Sequence, residues 1–213
     1  FLRLTPGEFI AALMANLRPA GIVVGPNYTF GHGGNGNSDV LRAAGYLQGF
    51  EVYVPPAVTI NECLASSTLI RQLIAAGDVA EAAVYLGRRF FLRGRVIAGA
   101  KRGRQLGFPT ANLAVDAAMA MPADGVYAVT VGYEGITWNG VANIGINPTF
   151  NGVRRGLEVH ILNFTGDLYG RELDVVFWSR IRGEQRFDSP ESLTDQIRAD
   201  IHQALSLLPP SEK

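Results

Sequence analysis

The sequence predicts two architectures in one chain: an incomplete α/β layer over residues 1–88, then an antiparallel β-barrel or sandwich closed by one helix over residues 89–213. Three observations carry this. Helix-capping patterns alternate with short apolar strands up to Gly87. Strand-like runs then follow one another with turn signals and no helix between them. A single amphipathic stripe ends the chain. Alternation implies a parallel layer with helices on its faces, and uninterrupted strands imply antiparallel pairing.

In order, Thr5-Pro6-Gly7-Glu8 reads as a capping box with Pro at the first helical position. Phe9, Ile10, Leu13, Met14 and Leu17 follow at helical spacing. Residues 21–25 are a short, wholly apolar strand of the kind buried in a parallel sheet. A Gly-rich loop covers 31–37, a helix opens at Ser38, and residues 51–54 form a second strand. Ser66 starts a helix that stops at Gly77. Asp78-Val79-Ala80-Glu81 reads as another capping box, for a helix that stops at Gly87. Two strands do not complete a parallel domain. Residues 89–98, 126–132, 136–144, 157–164 and 173–180 are rich in β-branched and aromatic side chains and are separated by turn dipeptides such as Asn139-Gly140. Ser189-Pro190 opens the last helix, whose stripe is Leu193, Ile197, Ile201, Leu205 and Leu208.

Composition bounds the function. Of 213 residues, 47% are hydrophobic and 18% charged, which excludes a disordered chain or a coiled coil. Nineteen basic residues balance nineteen acidic ones, so a broad phosphate-backbone reader of nucleic acid is disfavoured. No apolar run approaches the roughly 20 residues of a membrane span. The lone Cys63 can form no internal disulfide, which points to a reducing, cytoplasmic setting. The start has neither Met nor a signal-peptide core, so the sequence is expected to be N-terminally incomplete.

Several motifs could carry chemistry. Residues 31–36 match G-x-G-x-x-G, but Pro26 to Phe30 separate them from the strand, so a Rossmann fingerprint is disfavoured against a surface loop or another nucleotide-contacting loop. Ser66, Ser67 and Thr68 with Arg71 stand at a helix start, where they either receive phosphate or simply cap the helix. The segment from Gly94 to Leu113 runs from a strand into a loop rich in Gly, Lys and Arg. That loop either covers phosphates or is a basic surface turn. Thr110 and Asn112 are neutral oxygen donors on one side of an extended chain. Such donors suit Mg²⁺ when substrate phosphates supply the charge. Glu158 and His160 share one face of a strand. Glu158 is a candidate base at a barrel mouth, unless both residues merely face solvent. His32, His160 and His202 show no zinc spacing.

Taken together, these residues resemble a known family. Gly94-Arg95-Val96 with Gly99, then Leu106-Gly107-Phe108-Pro109-Thr110-Ala111-Asn112-Leu113, is similar to the signature of riboflavin kinases. So are Asp124-Gly125-Val126-Tyr127, Asn143-Ile144-Gly145 with Pro148-Thr149-Phe150, Leu157-Glu158-Val159-His160, Leu168-Tyr169-Gly170 and residues 181–189, all in the family's order. The first part resembles the later half of the FMN adenylyltransferase module of bifunctional bacterial riboflavin kinase/FAD synthetases. Residues 25–31 match Gly-x-Asp-x-x-Phe-Gly, with Asn27 in place of Asp, and residues 66–71 match Ser-Ser-Thr-x-Ile-Arg. The family's His-x-Gly-His motif has no counterpart in this sequence.

The resemblance implies a Rossmann-like nucleotidyltransferase portion followed by a six-stranded antiparallel Greek-key barrel with a C-terminal helix. It implies transfer of the ATP γ-phosphoryl group to riboflavin, giving FMN, with Glu158 as base and Mg²⁺ on Thr110 and Asn112. Gly99, Arg104, Gly107, Thr110 and Asn112 are the implied ATP contacts, and Arg182 and Phe187 the implied flavin contacts. Asn27, Gly31, Ser66, Ser67, Thr68 and Arg71 belong to the adenylyltransferase portion, whose activity is not expected without the missing histidines. The implied partners are ATP, riboflavin and FMN, with no nucleic acid and no membrane. A non-catalytic flavin- or nucleotide-binding module is the alternative.

Overall fold

The computed structural model describes residues 3–99, 102–149 and 152–210. Ala100, Lys101 and Phe150, which belong to the sequence motifs above, lie outside the described residues. The chain divides into two compact units, Phe1–Leu64 and Ala65–Lys213.

In the first unit, α1 (Pro6–Asn16) is capped as its sequence requires. The Thr5 backbone N–H donates to the Glu8 carboxylate at 2.7 Å and the Glu8 N–H donates to the Thr5 hydroxyl at 3.3 Å. These bonds hold the Glu8 carboxyl below its ordinary range, the Thr5 backbone bond first. Strands β1 (Gly21–Val23), β2 (Thr29–Phe30) and β3 (Gly36–Asn37) follow, with a single 3₁₀ turn at His32–Gly34. Helix α2 (Ser38–Gln48) is capped by Asn37, and β4 (Glu51–Tyr53) pairs in parallel with β1. This is one β-α-β step. A short hairpin, β5 (Thr59–Ile60) and β6 (Cys63–Leu64), ends the unit. Ile10, Val24, Phe30, Leu41 and Phe50 form its core. The expected burial of the apolar strand holds on one side only, where Val24 is buried and Ile22 packs against the core. Register partners Val23 and Tyr53 are 69% and 60% exposed, because among the described residues nothing covers the other side of a two-stranded sheet.

The second unit opens with α3 (Ser67–Ala76) and α4 (Val79–Leu86). Ser66 caps α3 by accepting from the Leu69 N–H at 3.2 Å. The second capping box is not formed: the Asp78 side chain makes no cap hydrogen bond. Its N–H is already given to the Leu73 carbonyl, closing α3 around left-handed Gly77, and its ψ of 56° is not that of a cap. Ile74, Val79 and Ala82 pack in the same core as Phe90, Leu92 and Phe177. By packing, therefore, the chain divides at Leu64/Ala65, whereas the local pattern changes from helix to strand at 88/89. The two helices carry apolar faces that are covered by the strands after them.

Six strands close a barrel in the order β10-β11-β8-β7-β12-β9. They are β7 (Phe91–Ile97), β8 (Ala111–Val115), β9 (Gly125–Tyr133), β10 (Ile136–Thr149), β11 (Gly152–Ile161) and β12 (Glu172–Arg182). All their pairings are antiparallel. A short helix, α5 (Arg102–Gln105), lies between β7 and β8, and α6 (Pro190–Leu207) closes the unit. Alternation aims Leu92, Tyr127, Val129, Ile144, Leu157, Val159, Val175 and Phe177 inward, where all are buried. A barrel of this size is filled by its own side chains and leaves no lumen for a substrate. The Tyr127 hydroxyl donates to the Ala123 carbonyl at 2.6 Å, and burial pushes its phenol pKa up.

The outer face of β9 is buried too, because α6 packs over β9, β10 and β12. The buried face of α6 differs from the expected stripe. Leu205 is 50% exposed, while Asp200 and Ala204 are buried. An inward carboxylate on that face answers to an arginine on the barrel.

Candidate active site

The site lies on the outer face of the barrel. Residues directly opposite in adjacent strands share a face. The register makes one transverse row: Ile97 on β7, Asn112 on β8, Glu158 on β11, Asn143 on β10 and Val126 on β9. Arg182 on β12 continues it across a bulge. Glu158 therefore stands on the outside of the wall rather than at its mouth, while its neighbours Leu157 and Val159 are buried.

A cavity of about 700 Å³ lies over the Glu158, Asn143, Val126 and Arg182 part of this row, while Ile97 and Asn112 stand outside its lining. That is within the usual range for a small-molecule site. Val126, Val141, Phe108, Phe187, Leu193 and Ile197 give it apolar walls. Thr110, Asn143, Glu158, His160, Arg182 and Glu184 give it polar ones. A planar apolar ring carrying a polar chain would find both kinds of surface here.

Three expected residues come together. The Thr110 hydroxyl donates to the Glu158 carboxylate at 3.2 Å. Asn112 is the cross-strand partner of Glu158. Gly99 packs against the Asn112 carboxamide so closely that a Cβ there would collide with it, which is why glycine stands at the exit of β7. A hydroxyl that donates one hydrogen still offers lone pairs, so Thr110 can contact Glu158 and a cation together. Among the described residues, no cluster of three His, Cys, Asp or Glu could hold a metal alone. The donor set of neutral oxygens beside one carboxylate fits Mg²⁺ that arrives with phosphates, and does not fit a resident metal.

Arg182 is engaged on all sides. Its Nε and Nη2 donate to Asp200 at 3.0 and 2.8 Å, and its Nη1 donates to the Gly183 carbonyl at 3.1 Å. Its guanidinium lies 5.6 Å from the Phe187 ring centre. Asp200 also accepts from Gln196 at 2.8 Å. The two expected flavin contacts thus form one assembly with α6. Arg104 is exposed on α5 and does not line the cavity, and Gly107 turns the chain with a φ of 86°.

The residues expected of an adenylyltransferase portion fall in different units. Asn27 is exposed and Gly31, at a φ of 76°, packs on Pro6, both in the first unit. Ser66 is spent on capping α3, and Ser67, Thr68 and Arg71 are exposed in the second unit. Sequence reasoning assigned no role to Asn143 or Glu184. The Glu184 carboxylate lies where a Cβ on Gly145 would be, so Gly145 makes room for it. The register, which pairs Asn143 with Glu158, brings Asn143 to the site, and the segment after β12 brings Glu184 to the cavity wall.

Both parts of the chain match known families. Residues 86–208 match the riboflavin kinase family model, and residues 1–69 match that of FAD synthetase. A bifunctional riboflavin kinase/FMN adenylyltransferase of Pseudomonas fluorescens is 43% identical over 210 residues, covering 98% of this chain and 67% of the relative. Those of Escherichia coli K12 and Bacillus subtilis 168 are 41% and 35% identical over 94% and 96% of this chain, and 64% and 66% of the relatives. The chain thus spans about two thirds of the length of these curated relatives. A crystal structure of a Streptococcus pneumoniae protein named as a macrolide-efflux protein superposes with a TM-score of 0.84 at 38% identity, covering 96% of this chain and 66% of that one. Among the described residues, no helix is long and apolar enough to cross a membrane. The chain belongs to the riboflavin kinase family, in its bifunctional riboflavin kinase/FMN adenylyltransferase form.

Proposed function

We propose that residues 89–213 form a kinase module that transfers the γ-phosphoryl group of ATP to the terminal ribityl hydroxyl of riboflavin, giving FMN and ADP. The observation that carries this is the Glu158 carboxylate, joined to Thr110 on the wall of a cavity large enough for a flavin. A primary alcohol is a poor nucleophile at neutral pH. Glu158 accepts its proton as the oxygen bonds to the γ-phosphorus and the bond to the β-phosphate oxygen breaks, releasing ADP. Thr110 orients that carboxylate. Thr110 and Asn112 would hold Mg²⁺, which when bound offsets phosphate charge. Gly99 sets the Asn112 carboxamide, and the 99–107 loop, with Arg104 and Gly107, covers the phosphates. Phe187 and the guanidinium of Arg182 border the flavin ring.

Residues 1–88 are read as the later portion of an adenylyltransferase module, with Asn27, Gly31 and Ser66 to Arg71 as its contributions. Adenylyl transfer to FMN is assigned only to a longer polypeptide that carries the family's histidine motif. Small molecules are the partners, since balanced charge gives no reason to expect a nucleic acid or a lipid surface, and the lone exposed Cys63 suits the cytoplasm.

Product chromatography tests this reading. The chain incubated with riboflavin and Mg·ATP is expected to accumulate FMN and ADP one for one, with no FAD. Binding of riboflavin or ATP with neither of them consumed would leave only the binding-module alternative, and consumption of ATP without FMN would contradict both readings. In the same assay, Thr110→Ala or Asn112→Ala should raise the Mg²⁺ concentration for half-maximal rate several-fold, and an unchanged titration would remove that residue from the cation site.

A further inference from the structure

We infer that His160 is a positioning residue. It fixes the Phe108–Thr110 segment, and through that segment the Thr110–Glu158 pair. This rests on the kinase reading above and deepens it.

The imidazole Nδ1 lies 2.8 Å from the Pro109 carbonyl oxygen. A carbonyl can only accept, so Nδ1 carries the hydrogen. The neighbouring Thr110 hydroxyl donates to Glu158. Two consecutive residues of the segment are thus clipped to two alternate residues of β11, on the same outer face. Phe108 adds a third restraint: its ring meets the imidazole edge-on, with centres 5.7 Å apart, and its N–H donates to the Gly103 carbonyl at 2.8 Å. Pro109 has no N–H of its own and a locked φ, so its carbonyl is its one backbone hydrogen-bonding group. A histidine that merely faced solvent would have neither the carbonyl nor the ring.

The distances say why this matters. At 3.2 Å the Thr110–Glu158 bond is already beyond the usual 2.5–3.0 Å of an O–H···O bond. A further drift of a few tenths of an ångström would break it. Misplacement by about 1 Å near a reacting centre can cost about a hundredfold in rate. The clip at Pro109 is one residue from the atom that must not drift.

The test uses three variants of the full chain. Asn places an amide N–H the same number of bonds from Cβ as imidazole Nδ1. Gln carries its amide one methylene farther, and Ala has no donor. Three measurements apply: kinase kcat, Mg·ADP affinity by calorimetry without turnover, and riboflavin affinity by flavin fluorescence. His160→Ala is expected to lower kcat about tenfold or more. It should weaken Mg·ADP binding several-fold and leave riboflavin affinity near wild type. His160→Asn should restore most of both losses, and His160→Gln should behave like Ala. A His160→Ala chain with wild-type kcat and Mg·ADP affinity would overturn the inference. So would an Asn variant no better than Ala, or a Gln variant equal to Asn. Failure of the kinase reading looks different, since the wild-type chain would then make no FMN. A crystal structure of His160→Ala would still decide the positioning role: the Thr110–Glu158 separation should exceed about 3.5 Å, and retention at the wild-type distance would refute it.

Discussion

Replacing Glu158 by Gln is expected to lower turnover at least a hundredfold while riboflavin and ATP bind almost as before. The size follows from the role. A positioned base is typically worth about 10²- to 10⁴-fold, and a hundredfold loss is about 2.7 kcal/mol of barrier. Gln has nearly the same shape and keeps an amide oxygen that can accept from Thr110, so the 3.2 Å contact and the cavity wall need not move. What is lost is basicity. Steady-state kinetics together with equilibrium binding check this. If turnover stays within a few-fold of wild type, Glu158 is not the proton acceptor. If affinity and turnover fall together, its role is in binding.

Asp200→Ala has the largest expected effect on stability. Asp200 is 2% exposed and takes three hydrogen bonds from the Arg182 Nε and Nη2, besides that from Gln196. Removing one member of a buried pair leaves the other charge uncompensated and typically costs about 3–5 kcal/mol. The Arg182 side chain is 20% exposed and can turn partly toward the cavity, so a smaller loss, about 2–3 kcal/mol, is expected. For a unit of this size that is a fall in Tm of roughly 5–10 °C. Riboflavin affinity should fall as well, because Leu193 and Ile197 on the same helix form a cavity wall. The double change Arg182→Leu with Asp200→Leu should recover much of the stability, since an apolar pair needs no partner. A single Asp200→Ala chain that melts within 2 °C of wild type, a difference worth about 1 kcal/mol or less, would show that the pair contributes little.

Much of the barrel was legible in the sequence because its strands alternate. In β11, Leu157, Val159 and Ile161 are buried and Glu158 and His160 line the cavity, so period two alone puts the two polar residues on one face. Strand β8 was not legible by pattern. Ala111–Val115 is only five residues long, begins two residues after Pro109, and carries alanine at two of its positions, so it lacks the β-branched and aromatic enrichment of the other strands. Its polar side turns toward the site instead of solvent. The position of Leu205 was misjudged for a related reason. A periodic count of apolar residues on α6 gives Asp200 no weight, yet the ion pair with Arg182 turns that carboxylate inward and Leu205 outward. The transverse row could not be read at all. It depends on the register among six strands, which is set by turns and bulges distant from Glu158. That is why Asn143 acquired a place only from the fold.

The central claim is that the chemistry takes place on the outer face of the barrel, beside Glu158 and beneath α6. A crystal structure of the chain with riboflavin and Mg·ADP tests it most directly. The flavin ring should lie between β9, β10 and α6, with the terminal ribityl hydroxyl about 2.6–3.2 Å from a Glu158 carboxylate oxygen. A flavin seated elsewhere, with that hydroxyl out of reach of Glu158, would contradict it.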